Sequence, residues 1–135
     1  MLIIKPVHGF LFLRILLIED EPLARLELRN LVVAAGHDVV GEASTGSEAL
    51  RLAGEHRPDV ILMDISLMGD LDGIEAARMI NDQFAIRSLF VSALVNRSRD
   101  TVDAARPFGF LLKPVSHRQL MRALDEIARQ LGKSA

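Results

Sequence analysis

The sequence predicts an α/β fold, a doubly wound five-stranded parallel sheet with helices on both faces. Three observations carry that expectation. Short, wholly apolar runs recur along the chain, as strands buried on both faces require. Segments of helical period separate them. The connections are short, with no internal repeat and no low-complexity linker, which is the pattern of a sheet built from successive strand–helix units.

The elements follow in order. Residues 14–18, Arg-Ile-Leu-Leu-Ile, form a first strand that ends in Glu19, Asp20 and Glu21. Pro22 sits where the first turn of a helix tolerates a missing N–H. Ala24, Leu28, Leu31 and Ala35 then recur at helical spacing, and Gly36 supplies a stop. Residues 39–43 form the second strand. Thr45 and Glu48 make a capping-box pattern for a helix over Gly46–His56, which Pro58 breaks. Val60–Met63 is the third strand and ends at Asp64. Asp72 and Glu75 repeat the capping pattern and open a helix carrying Ala77, Ile80 and Phe84. Residues 89–91 form the fourth strand, followed by Ser92. A weaker helix covers residues 98–105. Residues 108–112 form the fifth strand and run into Lys113 and Pro114. Ser116 and Gln119 cap a last helix whose apolar face is Leu120, Leu124, Ile127, Ala128 and Leu131.

A chain of 135 residues, half of them apolar and a quarter charged, suits one folded domain. Sixteen basic against 18 acidic residues give a net charge of −2, which is not the footprint of a nucleic-acid binder. Cysteine is absent, excluding disulfides, thiolate metal sites and a cysteine nucleophile. Trp and Tyr are absent too. Residues 1–13 are apolar, but Lys5, Pro6, His8 and Gly9 interrupt them. They suit neither a membrane span nor a signal peptide and are expected to be an extension ahead of the domain. The domain is expected over 14–131, with 132–135 as a tail and no second domain attached. The histidines at 8, 37, 56 and 117 lack metal-ligand spacing and are expected in loops or on the surface.

In an open parallel sheet, ligands bind outside the carboxyl ends of the strands. Those ends carry Glu19, Asp20 and Glu21, then Asp64, then Ser92, then Lys113. Each has an ordinary reading by itself: an acidic turn, a capping aspartate, a strand-end hydroxyl, a snorkelling lysine. Their convergence on one edge points to chemistry instead. Carboxylates without His or Cys make a hard oxygen site suited to Mg²⁺. A carboxylate beside that metal can act as a nucleophile toward a phosphoryl group. Phosphoryl transfer depends mostly on positioning and charge neutralisation, to which Lys113 contributes a cation and Ser92 a rotatable donor.

With those residues in hand, the sequence resembles the receiver domain of two-component response regulators. The matching stretches are ILLIEDEP at 15–22, VILMDISL at 60–67, LDGIEAA at 71–77, LFVSAL at 89–94 and GFLLKP at 109–114. The resemblance implies a flavodoxin-like sheet of strand order 2-1-3-4-5. It implies that Asp64 accepts a phosphoryl group from a phosphohistidine on a sensor histidine kinase or histidine phosphotransfer protein. It also implies that Asp20 and Asp64 bind Mg²⁺, with Glu19 in the acidic pocket and the Ser66 backbone carbonyl as third protein ligand. Lys113 would pair with the phosphoryl oxygens, Ser92 and Phe110 would form a switch pair, and the Lys113–Pro114 bond would be cis.

The expected protein is thus a stand-alone cytoplasmic switch, not an enzyme acting on other substrates. It would signal to a downstream protein or dimerise through the fourth helix–fifth strand–fifth helix face, with no nucleic-acid or membrane partner. Two departures from the family pattern stand out. Met68 replaces the usual proline, and Asp72-Gly73 comes one residue late, so the loop after Asp64 is one residue longer. Pro107 ahead of Phe108 is also unusual. The alternative in another class is a phosphorylation-independent interaction module on the same fold. A phosphatase-type hydrolase would want a second carboxylate at Ser66. A flavin site would want a phosphate loop where Glu19, Asp20 and Glu21 stand.

Overall fold

The computed structural model describes residues 12–93 and 96–132. The strands are β1 (Arg14–Ile18), β2 (Asp38–Ala43), β3 (Val60–Met63), β4 (Ser88–Ser92) and β5 (Gly109–Leu112). The helices are α1 (Pro22–Ala34), α2 (Gly46–His56), α3 (Gly73–Phe84), α4 (Arg99–Asp103) and α5 (His117–Gln130). All strand pairs are parallel, in the order β2-β1-β3-β4-β5. That is the expected doubly wound sheet.

The alternation of side chains along each strand splits the core in two. Leu16, Ile18, Ile61, Met63 and Phe90 face one way and pack with Ala49, Ala53, Ile74, Ala77 and Ile80 of α2 and α3. Ile15, Leu17, Val60, Leu62 and Val91 face the other way, against Leu28 and Val32 of α1 and Leu120, Leu124, Ile127 and Ala128 of α5. Of the three interior strands, β3 and β4 are buried throughout and β1 from Ile15 onward, which explains why their sequences show no polar alternation.

Helix starts are fixed by side-chain oxygens that take otherwise unpaired N–H groups. Thr45 accepts from Glu48 N at 3.1 Å, Asp72 from Glu75 N at 2.9 Å and Ser98 from Thr101 N at 3.2 Å. Ser116 and Gln119 complete a reciprocal capping box. Glu48 and Glu75 turn their carboxylates outward to Arg51 and Arg78. Glu21, which no capping pattern marks, caps α1 by accepting from Leu23 N at 3.1 Å.

Several expectations are corrected in detail. The fourth helix is shorter than 98–105 and buries none of its five residues. β5 begins at Gly109, because Phe108 still belongs to the approach, where Arg87 lies over its ring at 4.3 Å. His37 lies in the connection between α1 and β2, as expected of a loop histidine, but it does not face the surface. It is only 6% exposed, and its Nδ1 accepts the N–H of Leu13 at 3.0 Å. Leu13 is itself fully buried with the α1–α5 cluster, and its carbonyl accepts from Asp38 N at 3.0 Å. Residues 1–11 of the expected extension, and 133–135 of the expected tail, lie outside the described residues.

Burial lowers the His37 pKa from its ordinary value, against the opposing charge of Asp125. The unfolded chain therefore takes up this proton at a higher pH than the folded one. The stability it carries is complete above the unfolded value, about 6.5, and falls as pH drops below that value. Denaturation midpoints measured from pH 7.5 to 5.5 should fall with acidification. The same series on His37→Asn should be flatter, and an identical slope would refute the assignment.

Candidate functional site

The strand ends are locked to one another by main-chain hydrogen bonds. Glu19 N donates to Ala43 O at 3.0 Å, Asp64 N to Ile18 O at 3.0 Å and Lys113 N to Ser92 O at 2.9 Å. Each functional side chain thus leaves the sheet from a fixed backbone position, just where the apolar run stops.

Glu19 is only 2% exposed, although it is an acid. Its Oε2 accepts from Glu21 N at 3.1 Å, and its Oε1 is ion-paired with Lys113 Nζ. Arg25, one turn into α1, donates to the Glu19 carbonyl at 2.7 Å and pairs with Glu42 at 3.4 Å. Asp64 is 6% exposed. Its Oδ1 accepts the Ser92 hydroxyl at 2.6 Å and Ser66 N at 3.2 Å, and its Oδ2 stands 3.5 Å from Lys113 Nζ. Asp20 is half-buried, and carboxylate oxygens of Glu19, Asp20 and Asp64 lie within 4.8 Å of one another.

Electrostatics follow from three close acids sharing one ammonium. Burial raises the Glu19 pKa, helped by the Asp64 charge and opposed by the bonds from Lys113 and Glu21. For Lys113, burial works toward a lower value, but the hydrogen bond to Glu19 and the charge of Asp64 prevail and raise it. The cluster is thus short of positive charge, and its donors are all hard oxygens. Both properties suit a Mg²⁺ ion, which takes one or two carboxylates and keeps several waters.

Of the residues read from the sequence, Glu19, Asp20, Asp64, Ser92 and Lys113 come together in one crevice. Phe110 does not face it. Its ring is 37% exposed, 6.3 Å from the Phe90 ring centroid, and lines a groove of 450 Å³ with Arg97, Arg99, Val102 and Pro107. Ser66 is exposed and contributes its amide to Asp64. The Lys113–Pro114 bond is cis.

The longer loop after Asp64 bends at a glycine and exposes the residue before it. Gly69 has φ +101°, and Met68, 73% exposed, pairs across to Thr45. The loop then returns so closely that Gly73 N donates to Ile65 O at 2.9 Å. Arg25, Gly73 and an ion pair between Arg97 and Asp72 were not found by sequence reasoning. Only Gly73 left a signal, as part of the Asp-Gly pair.

This arrangement agrees with comparison to known proteins. A family model, the response regulator receiver domain, matches residues 15–125. The transcriptional regulatory protein PdtaR of Mycobacterium tuberculosis is 37% identical over 115 residues, covering 83% of this chain and 55% of the relative. The chemotaxis protein CheY of Thermotoga maritima is 27% identical over 118 residues, covering 86% of this chain and 98% of the relative. Among solved structures, the signal receiver domain of a modulated diguanylate cyclase from Desulfovibrio desulfuricans superposes with TM-score 0.78 at 34% identity, covering 88% and 95% of the two chains. The response regulator domain of Thermotoga maritima CheB gives 0.72 at 34% identity, covering 88% and 95%.

The chain therefore belongs to the response regulator receiver domain family, a family of phosphoaccepting signalling domains. It spans about half the length of PdtaR, the first of these curated relatives. Among the described residues, no helix is long and apolar enough to cross a membrane.

A Cβ on Gly73 would stand 2.0 Å from the Asp64 carbonyl oxygen and 2.7 Å from Ile65 Cα, both main-chain atoms that cannot yield cheaply. Gly73→Ala should therefore cost on the order of 3 kcal/mol. Chemical denaturation checks this, and a variant of unchanged midpoint would show that α3 does not approach Asp64 this closely.

Proposed function

We propose that this protein is a phosphoaccepting switch in which Asp64 takes a phosphoryl group from a phosphohistidine. The donor is a sensor histidine kinase or a histidine phosphotransfer protein. The observation that carries the reading is the division of labour at Asp64. One oxygen is held by Ser92 and the Ser66 amide, and the other faces the Lys113 ammonium.

In the reaction, a carboxylate oxygen of Asp64 bonds to phosphorus as the P–N bond to the donor imidazole breaks. The bond's electron pair returns to the ring, which is protonated from solvent. Asp20 and Asp64, with Glu19 behind them and the Ser66 carbonyl as a third protein ligand, would hold Mg²⁺, which would supply positive charge against the repulsion between the two anions. Lys113 turns from Glu19 toward a phosphoryl oxygen. Ser92, already directed at Asp64, transfers its hydrogen bond to the phosphoryl group.

The added charge of about −1.5 to −2 moves the Ser92 hydroxyl, and the Phe110 ring follows it inward from the groove. The altered α4–β5–α5 face is then read by a downstream protein or by a second copy of the chain. The protein promotes only its own phosphorylation and dephosphorylation, in the cytoplasm where such donors act. Against a phosphorylation-independent module stands the loop after Asp64, which is one residue longer and still delivers the Ser66 amide.

Asp64→Asn keeps both hydrogen-bond acceptor functions of Oδ1 but loses the nucleophile. Labelling by a small phosphodonor such as phosphoramidate, in Mg²⁺, should vanish in this variant. Undiminished labelling would end the proposal. Ser92→Ala should still accept the group but lose the response at Phe110. The check is the phosphorylation-dependent change in the amide spectrum around β5, whose persistence in full would remove Ser92 from the switch.

A further inference from the structure

Links at two levels join the connection after β3 to the end of β4 and the connection beyond it. At the floor of the crevice, the Ser92 hydroxyl donates to Asp64 Oδ1 at 2.6 Å. Nearer the surface, Arg97 Nη1 donates to Asp72 Oδ2, also at 2.6 Å. Asp72 is the N-cap of α3 and spends its other oxygen on Glu75 N at 2.9 Å. Arg97 immediately precedes Ser98, the N-cap of α4. The ion pair therefore ties the start of α4 to the start of α3. It does so one residue from Gly73, the point where α3 abuts the Asp64 main chain.

Among the described residues, α4 has few other attachments. None of its five residues is buried, and its own Arg99–Asp103 pair is long at 3.8 Å and exposed. Val102 packs partly against the α2–α3 core, and Ala105 is buried just beyond the helix. For so lightly held an element, even a half-exposed ion pair is a large share of the restraint. Pairs of this kind shift an equilibrium by about 1.4- to 5-fold.

We propose that Arg97 is a positioning residue for the switch. Through Asp72 it holds the start of α4 in the unphosphorylated arrangement and so sets how readily the switched one is reached. The inference rests on the receiver reading and deepens it. Phosphorylation at Asp64 acts where α3 packs against the main chain at Gly73, one residue from the Asp72 that Arg97 grips. Moving α4 requires their pair to part.

The test uses the full chain with Mg²⁺ and beryllofluoride, a stable mimic of the phosphoryl group, followed through amide shifts of α4 and β5. The variants are Arg97→Ala, Asp72→Asn and the two combined. Asn caps a helix as well as Asp, so α3 is preserved and only the charge is lost. Each single variant should reach the switched spectrum at about 1.4- to fivefold lower beryllofluoride. The double variant should go no further than either, and the effect should fade in 1 M salt, where screening reaches about 3 Å.

A field effect on the bound anion predicts opposite signs instead, with loss of Arg97 weakening the response and loss of the Asp72 charge strengthening it. Opposite signs, additive effects or unchanged titrations would each overturn the inference while leaving the receiver assignment standing. A wild-type chain that responds to neither beryllofluoride nor phosphodonor would take both down.

Discussion

Lys113 is the group on which the site depends. Its ammonium meets Glu19, which is almost completely buried, and reaches toward Asp64. Burying a carboxylate without a partner is costly, and leaving one behind by removing its partner is costlier than never placing it. One cation among three clustered acids cannot neutralise them all. The crevice is therefore built with an unmet demand for positive charge, and the rest of the fold exists to hold it in that condition. The fully buried central strands supply the rigidity, and the main-chain bonds between strand ends fix the spacing.

That tension also explains the local chain geometry. The acids of β1 serve two purposes at once, since Glu21 caps α1 while Glu19 accepts from Glu21 N. Arg25 returns from the first turn of α1 to hold the Glu19 carbonyl. On the far wall, Gly73 lets α3 approach the Asp64 main chain more closely than any side chain would allow. These local contacts add to the two long-range holds on the carboxylates, Lys113 on Glu19 and Ser92 on Asp64.

Most of this was legible in the sequence, for identifiable reasons. Strands buried on both faces betray themselves as continuous apolar runs, so β1, β3 and β4 and the polar residue ending each could be read directly. The capping residues Thr45, Asp72 and Ser116 likewise act within a few positions of themselves. The rest depends on how distant segments meet. His37 looks like a turn histidine, and only the packing of Leu13 against α1 and α5 buries it. The Arg97–Asp72 pair spans 25 positions and depends on the path of two loops. Phe110 sits in a groove shared with Arg99 and Val102 of α4, and its exposure depends on how those distant segments meet.

The sheet does more than carry the crevice: it divides the interior into two compartments that share no side chains. Phe90 lies on the α2–α3 side, while Val91, its neighbour in β4, lies on the α1–α5 side. Changes in well-separated groups without common partners add rather than interact. The two helical flanks can therefore diverge independently, each acquiring its own surface, while the edge between them stays the same. A chain of this design can change what it meets on one flank without disturbing what it meets on the other.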